Sequence, residues 1–394
     1  MTDLTPISSA DAIALEDAVT LPTYAKPPIA LVRGEGTTVW DADGRAYLDF
    51  YGGHCVALLG HCPPRVVEAI RQQAGELLFY SNAMYSPVRA QASAALVALA
   101  PEALSRVFWC NSGTEANEAA LKLARTATGR TKVASCTGGF HGRTLGALAM
   151  THGDGYRAPY LDILPETTWL PFGDADAARE ALEGGDVAAL LIEPIQSVAG
   201  ITEAAPEYYR ALREICDETG TMLIFDEVQT GVGRTGTFLY GEHVGVVPDM
   251  STLAKSLGAG VPVGAVLVSE AIASGVRPGD QGTTFGGGML AMAAVIAALA
   301  QLIDDDLMRR ATMIHAWLSA GLAEMPGVVE VRGKGCLIGV ALDRPAAPVR
   351  DALRAAGVLV GTSGKPDTLR LMPPLTTTDA EIDACLAALA TALA

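Results

Sequence analysis

Short apolar runs alternate with segments of helical periodicity along the middle of the chain. The runs are nearly continuous in apolar residues, which is typical of strands buried on both faces of a sheet. The predicted strands are 105–110, 131–136, 187–194, 221–228 and 263–269, and the predicted helices include 115–127, 206–219 and 286–303. This order predicts an α/β domain, with helices on both faces of a mostly parallel sheet. We expect the domain to occupy residues 51–304.

The pattern changes near residue 305. The elements predicted there are a helix at 306–325, strands at 328–335 and 336–343, a helix at 348–356, an extended segment at 368–375 and a final helix at 378–393. They predict a smaller α+β domain over residues 305–394. Near the start of the chain, Asp43-Gly44 separates two apolar runs and predicts a hairpin. The segment 1–50 is therefore expected to join the smaller domain.

Composition narrows the kinds of partner. The chain has 394 residues, of which 50% are hydrophobic and 18% are charged, a balance typical of a well-buried globular enzyme. The 44 acidic and 28 basic residues give a formal net charge of −16, which disfavours nucleic acid and anionic membranes as partners. A site for an anionic ligand must then be built locally, from particular arginines, backbone N–H groups and helix ends.

The sequence also bears on location and on metals. The seven cysteines are scattered and form no Cys-x-x-Cys pair, which indicates reduced core residues in a cytoplasmic protein. The start of the chain lacks the pattern of a secretory signal, and the longest apolar run, 289–303, predicts a buried helix because it is too short to span a membrane. His54, Cys55, His61 and Cys62 lie close together, but their spacing fits no usual zinc pattern, so no metal site is predicted.

One lysine stands in an unusual setting. Lys255 lies in "TLAKSLGAG" (252–260), inside a short apolar run that breaks into glycine. A buried ammonium is costly unless it is paired or loses its charge. One interpretation is a lysine that extends its amine to water. The other is a lysine kept for covalent chemistry with a carbonyl, because a desolvated amine is the better nucleophile.

Polar residues cluster just after the predicted strands, where ligands gather in open α/β sheets. In "NSGTEANEAALKLA" (111–124), Ser112 and Glu115 have the spacing of a capping box, so a helix begins there. Gly113 lets a bound group approach the backbone, and the free N–H groups of the helix suit an anion. A cap without any ligand is the alternative interpretation.

Three further strand ends carry candidate residues. The loop "TGGFHGRT" (137–144) exposes Phe140, His141 and Arg143 between glycines, where an aromatic ring either packs or covers a flat ligand. Glu193 ends one apolar strand, and Asp226 with Glu227 ends another. An acidic strand end also occurs in nucleoside triphosphatases, but the G-x-x-x-x-G-K-[ST] loop they need is absent. We interpret Asp226 instead as the partner of a cationic ring nitrogen.

A phosphate anchor, a stacking aromatic, an acid for a ring nitrogen and an isolated lysine together describe a site for pyridoxal phosphate. The motifs "NSGTEAN", "FHGRT", "EPIQ", "DEVQTGVGRTG", "LAKSLGAG" and "TTFGG" occur in this order. In this combination the chain resembles the class III aminotransferases of fold type I, within the acetylornithine/succinylornithine aminotransferase group. The resemblance covers nearly the whole chain, from "VRGEGTTVWDADG" to "LRLMPPL".

The resemblance implies a role for each matching position. Lys255 and Asp226 would be the catalytic residues. The cofactor-binding residues would be Ser112, Gly113, Thr114, Phe140, Asp226, Glu227, Val228, Gln229, Lys255 and Thr284. Of these, Phe140 and Val228 would enclose the ring, Gln229 would bond its phenolic oxygen, and Thr284 would reach the phosphate of a second subunit. The substrate-binding residues would be Arg143, Glu193, Thr283 and Arg370, with Glu193 and Arg370 as an ion pair that sets specificity.

The resemblance also implies an activity. It predicts a homodimer with shared sites that moves the terminal amine of N-acetylornithine, or of a closely related acylated ornithine, to 2-oxoglutarate. The alternatives are N-succinylornithine, ornithine or another ω-amino acid as donor, a pyridoxal-phosphate aminomutase, and a non-catalytic binder with the same fold. The chain departs from the group at Gly286-Gly287-Gly288, where Gly-Gly-Asn is usual, and at Ser197-Val198-Ala199, where a Gly-Glu-Gly-like run is usual. Both departures bear on the acyl substrate.

Overall fold

A seven-stranded sheet forms the centre of the protein, in a computed structural model that describes residues 7–394. Across the sheet the strands are Arg106–Cys110, Gly264–Val268, Met250–Leu253, Met222–Asp226, Val187–Ile192, Lys132–Cys136 and Thr167–Leu170. Only Gly264–Val268 runs antiparallel to its neighbours. The prediction of a mostly parallel sheet is therefore confirmed.

Two strands of this sheet are absent from the sequence prediction. Met250–Leu253 is only four residues long, carries the polar Ser251 and Thr252 at its centre and runs directly into the lysine segment, so it has no apolar run that would indicate a strand. Thr167–Leu170 lies at the edge of the sheet and begins with two threonines, a weak strand pattern in a chain of long apolar runs. The central strand Val187–Ile192, by contrast, is buried at every position, as its continuous apolar sequence predicts.

Helices cover both faces of this sheet. The longer helices of the whole described chain are Ser9–Val19, Pro64–Glu76, Pro87–Leu99, Gly113–Thr128, Ala175–Leu182, Pro206–Thr219, Met289–Asp304, Leu307–Ala323, Ala346–Ala355 and Asp379–Leu393. Shorter turns of helix are Gly52–Cys55, Leu145–Ala149, Asp154–Arg157, Ala158–Tyr160, Gly241–Val244, Lys255–Gly258 and Glu270–Ala273. No helix in the described residues is long and apolar enough to cross a membrane.

The helix predicted from residue 286 begins instead at Met289. The three glycines before it adopt other conformations, because a side chain at Gly286 would meet the backbone oxygen of Trp109 at 2.5 Å and Gly287 has φ +73°. Gly288 caps the helix without a side-chain hydrogen bond. Because glycine replaces the usual asparagine at position 288, no side chain caps the start of this helix.

Smaller sheets are built from the two ends of the chain. Leu31–Glu35, Thr38–Asp41, Ala46–Asp49 and Val358–Leu359 form one, and Val328–Lys334, Leu337–Leu342, Thr368–Leu371 and Gly361–Thr362 form another. The predicted hairpin at Asp43-Gly44 is present, since the flanking strands pair antiparallel and Gly44 has φ +86°. A two-stranded ribbon, Ile195–Gln196 with Thr202–Glu203, follows the strand that carries Glu193.

Candidate active site

A cavity of about 430 Å³ lies at the carboxyl ends of the central strands. It is lined by Val56, Asn111, Ser112, Gly113, Thr114, Asn117, Phe140, His141, Gly142, Glu193, Asp226, Val228, Gln229, Ala254, Lys255 and residues 260–263. These residues come from loops far apart in sequence. The sheet brings them together, because neighbouring parallel strands end at the same edge.

Asp226 is the most firmly held side chain of the cavity. One carboxylate oxygen, Oδ2, accepts hydrogen bonds from Asn117 Nδ2 and His141 Nδ1, each at 2.8 Å. The other, Oδ1, accepts from the backbone N–H of Val228 at 3.1 Å. The residue is only 4% exposed. Such a network fixes the carboxylate in one orientation, so that it can meet a cationic group without first rearranging.

Asn117 and His141 were not among the predicted site residues. Asn117 lies one turn into the helix Gly113–Thr128, where its Oδ1 accepts from Thr252 Oγ1 at 2.7 Å and its Nδ2 also donates to the His141 backbone oxygen at 2.7 Å. The sequence did contain a signal for Asn117, because this asparagine lies on the otherwise apolar face of a helix. A buried amide needs hydrogen-bond partners, so such a position indicates a polar network. His141 was visible in its glycine-flanked loop, but only the fold sets it beside Asp226.

Lys255 has a strained backbone and a free amine. Its φ is +39°, a conformation that ordinarily costs a non-glycine residue roughly 1–3 kcal/mol. Among residues 7–394, none forms a hydrogen bond or ion pair with its Nζ. Burial lowers the pKa of this amine, and the positive charge of Arg370 adds to that effect while Cys55, Asp226 and Glu193 oppose it. A larger neutral fraction makes the amine a better nucleophile near neutral pH.

The helix Gly113–Thr128 points its start into the cavity. Ser112 caps it, accepting from the backbone N–H of Glu115 at 3.3 Å, and the Glu115 carboxylate accepts from Asn111 rather than from Ser112. The predicted helix start is thus confirmed, with the reciprocal bond shifted by one residue. Gly113 and Thr114, which follow the cap, line the cavity and leave backbone N–H groups free for an anion.

Glycine is required at two positions of this wall. A side chain at Gly113 would approach both methyl groups of Val228 to 2.9 Å. Gly142 has φ +133°, and a side chain there would collide with the Thr114 hydroxyl. Thr114 in turn shares a hydrogen bond of 2.7 Å with Thr144. The loop after Lys132–Cys136 and the start of the helix therefore fit closely against each other.

Phe140, Val228 and Gln229 form the remaining walls. The Phe140 ring packs edge-on against Tyr156 at 5.6 Å, and both Phe140 and Val228 line the cavity. Gln229 Oε1 accepts from the Ser197 hydroxyl at 3.0 Å. Among the described residues, none accepts a hydrogen bond from Gln229 Nε2, so its N–H groups are left for a ligand.

The predicted ion pair between Glu193 and Arg370 is wrong for this structure. Glu193 Oε1 accepts from the Phe140 N–H at 2.8 Å and Oε2 accepts from the Ser197 N–H at 3.3 Å. Arg370 does not line the cavity, and it donates to neutral oxygens of Thr362, Ser197 and Tyr51. The reason is local: Glu193 turns toward backbone donors in its own neighbourhood, and Ser197 stands next to the arginine.

The structure also separates Glu227 from the cavity, contrary to its prediction as a cofactor ligand. Glu227 is 2% exposed and accepts from the Thr230 hydroxyl at 2.8 Å and from the backbone N–H groups of Tyr240 and Gly241. Burial raises its pKa to about 7, although these three donors favour the charged form. Its carboxylate is turned toward the backbone of Tyr240 and Gly241, whereas Asp226 faces the cavity.

Thr283 and Thr284 line a second cavity, of about 710 Å³, which shares Asn111 with the first cavity. The Thr283 hydroxyl accepts from Asn111 Nδ2 at 3.3 Å and from the Gly286 N–H at 3.0 Å. Within one chain it does not line the main cavity, although it was predicted to bind substrate. Thr284 is exposed. Arg143 is also exposed, outside the cavity lining, with its guanidinium 4.7 Å above the Tyr156 ring. Its place beside Phe140 keeps it near the mouth of the site.

No cluster of three or more metal-ligating side chains occurs in residues 7–394. The histidines of "GGHCVALLGHC" are used otherwise. His61 Nε2 lies 2.8 Å from Asp49 Oδ2, and His54 Nδ1 lies 2.6 Å from the Tyr51 hydroxyl. Burial lowers the pKa of His54 to about 4, with the charges of Lys255 and Arg370 acting in the same direction.

Glu193 makes the protein's stability depend on pH. Burial raises the pKa of Glu193 from 4.5 to about 7, and the negative charge of Asp226 raises it as well. His141 and the backbone N–H groups of Phe140 and Ser197 lower this pKa, but by less. The folded state therefore holds a proton that the unfolded state releases near pH 4.5. The resulting stability is present below pH 4.5 and is lost as pH rises through about 7.

We therefore expect Glu193→Gln to be better tolerated at high pH. Relative to wild type, the variant should gain on the order of 2–3 kcal/mol in free energy of unfolding between pH 5 and pH 8. Melting curves of both proteins at the two pH values measure this difference, and Glu227 titrates equally in both. A difference in melting temperature that does not change with pH would contradict the assignment.

The donor set of the cavity fits pyridoxal phosphate. Asp226 presents a fixed carboxylate, Lys255 an unpaired amine, and the start of the helix Gly113–Thr128 free N–H groups. Phe140 and Val228 supply apolar walls. A ring with a cationic nitrogen, a carbonyl and a phosphate complements each of these groups in turn.

Comparisons with known proteins agree with a pyridoxal-phosphate site. The family model described as aminotransferase class-III matches residues 20–393. An acetylornithine aminotransferase of Methanopyrus kandleri is 45% identical over 385 residues, covering 97% of this chain and 99% of that protein. One of Mycolicibacterium smegmatis is 45% identical and covers 95% of each chain.

The fold agrees as well. The crystal structure of an ornithine aminotransferase from Toxoplasma gondii has a TM-score of 0.92 and 32% identity, covering 99% of this chain and 96% of that one. Both the sequence match and the structural match extend over nearly the whole chain. The protein therefore belongs to the class III aminotransferases, which are pyridoxal-phosphate-dependent enzymes of fold type I.

Proposed function

We propose that this aminotransferase moves the terminal amine of N-acetylornithine, or of a closely related acylated ornithine, to 2-oxoglutarate. The products are the corresponding semialdehyde and glutamate. The observation that carries the proposal is the unpaired amine of Lys255 in one cavity with the fixed carboxylate of Asp226. Support for the donor comes from relatives about as long as this chain that are named acetylornithine aminotransferases, at 45% identity.

We propose the following roles at the reacting atoms. The bound cofactor supplies a carbonyl for the substrate amine and a ring that takes up the electron pair of the substrate carbon. Lys255 would hold the cofactor through its Nζ, and the same amine would be placed to move a proton at the substrate carbon. Asp226, whose carboxylate Asn117 and His141 hold in place, would stabilise the positive charge of the ring nitrogen.

The remaining parts of the cavity bind and orient. The phosphate would bind at the start of the helix Gly113–Thr128, beside Ser112, Gly113 and Thr114. The free N–H groups there attract an anion locally, which is needed because the protein as a whole has a net charge of −16. Phe140 and Val228 enclose the ring, and Gln229 donates to its phenolic oxygen. Arg370, which lies outside the cavity lining against Ser197, would bind a substrate carboxylate, and the exposed Arg143 would attract the distant carboxylate of a long substrate.

A panel of amine donors tests the function. Purified enzyme is supplied with acetylornithine, succinylornithine, ornithine or 4-aminobutyrate, each with and without 2-oxoglutarate, and glutamate is measured. We expect the highest kcat/KM with an acylated ornithine and no sustained turnover without the keto acid. Isomerisation of an amino acid without 2-oxoglutarate would mean an aminomutase, and no glutamate from any donor would mean a binder that kept the fold.

We propose that residues 51–304 form the cofactor domain and that 305–394 with 1–50 form the small domain. The pairing of Ala46–Asp49 with Val358–Leu359 supports joining the two ends of the chain. A cytoplasmic location is proposed as well, because all seven cysteines are free, as expected in a reducing compartment.

We further propose a homodimer in which Thr284 completes the phosphate site of the partner. Phe285, the residue after Thr284, is an exposed apolar side chain, as are Phe79, Tyr80, Met84 and Tyr85. The Phe79 and Phe285 rings are 5.1 Å apart. Several large apolar side chains left exposed in this way are typical of a surface that another protein chain covers.

Subunit mixing tests the shared site. Lys255→Ala and Thr284→Asp should each inactivate the homodimer, the latter by placing a negative charge against the phosphate. In a mixed dimer both defects fall in one site and the other site is intact, so about a quarter of wild-type activity should return after random reassociation. Two singly tagged variants that stay inactive when co-purified, or a fully active monomer, would refute the shared site.

A further inference from the structure

Ser197 occupies a position between the buried arginine and the cavity. It is fully buried and follows the strand end that carries Glu193. Its hydroxyl oxygen accepts from Arg370 Nη1 at 3.1 Å, and the hydroxyl donates to Gln229 Oε1 at 3.0 Å. Because an arginine can only donate, Ser197 must accept from Arg370, and its single proton stays free to be donated to Gln229 Oε1.

The chain of bonds determines how Gln229 faces the cavity. With Oε1 engaged by Ser197, the amide is held with its Nε2 group as the part left for a ligand. Without the serine, the amide has no partner among the described side chains to distinguish its oxygen from its nitrogen. Ser197 therefore keeps Gln229 a donor toward an oxygen anion.

The same serine helps to hold Arg370 ready without neutralising it. The guanidinium, 5% exposed, donates through Nε to Thr362 O at 2.7 Å and through Nη2 to the Tyr51 hydroxyl at 3.1 Å, in addition to Ser197. All three acceptors are uncharged, and within residues 7–394 no carboxylate pairs with Arg370. One N–H on each terminal nitrogen is left over, which is the fork that a carboxylate accepts.

We propose that Ser197 is a positioning residue that couples carboxylate binding at Arg370 to the cofactor's phenolic oxygen through Gln229. The proposal rests on the assigned roles of Arg370 and Gln229. When a substrate carboxylate binds the arginine, the Arg370–Ser197–Gln229 chain is polarised, because hydrogen bonds in series strengthen one another. Val198, its neighbour, has no such bond and supplies a matched control.

The test uses holoenzyme and glutarate, a dicarboxylate that cannot react. The absorption of the bound cofactor is titrated with pH, with and without glutarate, in wild type and in Ser197→Ala, Ser197→Thr and Val198→Ala. In wild type, glutarate should shift the spectral pKa. In Ser197→Ala, glutarate affinity should fall about 10-fold, as for loss of one hydrogen bond to a charged group, and the shift should disappear.

The control variants sharpen the outcome. Ser197→Thr keeps the hydroxyl and should restore the shift, while Val198→Ala should behave as wild type. If Ser197→Thr is too large to fold, as its melting curve will show, the comparison of Ser197→Ala with Val198→Ala decides alone. A wild type without a glutarate-dependent shift, or a Ser197→Ala that retains it, overturns the coupling. Because the titration needs no turnover, an enzyme inactive on every acylated ornithine would refute the proposed donor and leave this result intact.

Discussion

Lys255→Ala should lower turnover by more than about 10⁴-fold, because proton transfer alone contributes roughly 10²–10⁴-fold and the nucleophile is lost as well. Lys255→Arg should be as inactive, since a guanidinium keeps the charge but neither condenses with a carbonyl nor releases its proton. The rate of each half-reaction is measured in single turnovers, with the absorbance of the bound cofactor as the signal. Lys132→Ala, which alters an exposed lysine paired with Asp186, is the matched control.

Chemical labelling checks the same assignment independently of activity. Borohydride reduction of the wild-type holoenzyme, followed by peptide mass mapping, should place the cofactor on Lys255. Its positive φ and unpaired amine distinguish it from Lys122, whose Nζ donates to Asp280 O and Gln281 Oε1, each at 3.1 Å, and from Lys334, 3.1 Å from Glu203. A label on Lys122, Lys132 or Lys334 would refute the role of Lys255.

Asp226→Asn should cut kcat by roughly 10²–10³-fold, the usual loss when one preorganised electrostatic contact to a developing charge is removed. The substitution preserves shape but removes the charge that holds a proton on the ring nitrogen. Because the new amide would face N–H donors, a loss of about 1–3 kcal/mol in stability is also expected. Melting temperature and cofactor affinity should be measured beside kcat, to separate lost chemistry from lost folding.

A surface variant gives the comparison. Asp186→Asn removes an exposed carboxylate that pairs with Lys132, and a surface pair of this kind contributes little to stability. It should leave kcat within about twofold of wild type, because solvent screens an exposed ion pair and this pair does not line the cavity. An Asp226→Asn enzyme with the turnover of Asp186→Asn would show that the carboxylate does not stabilise the ring.

The sequence determined the architecture because burial leaves a strong local pattern. Val187–Ile192 is buried at every position, and its unbroken apolar run is the pattern expected of a strand covered on both faces. The helix at Gly113–Thr128 was readable from its capping residues, because a cap acts through neighbours three residues apart. Lys255 was readable as well, since an isolated lysine in an apolar, glycine-rich segment conflicts with ordinary burial.

The tertiary structure decided which side chains meet. The side chains of Asn117, His141 and Asp226 are joined by hydrogen bonds, yet they come from three segments far apart in sequence. No local pattern relates these segments. Glu193 and Arg370 looked like an ion pair, but backbone donors take the carboxylate and Ser197 takes the arginine. A hydrogen bond depends on positions within a few tenths of an ångström, whereas the sequence specifies only chemical type and spacing. Pairings across the fold therefore had to come from the structure.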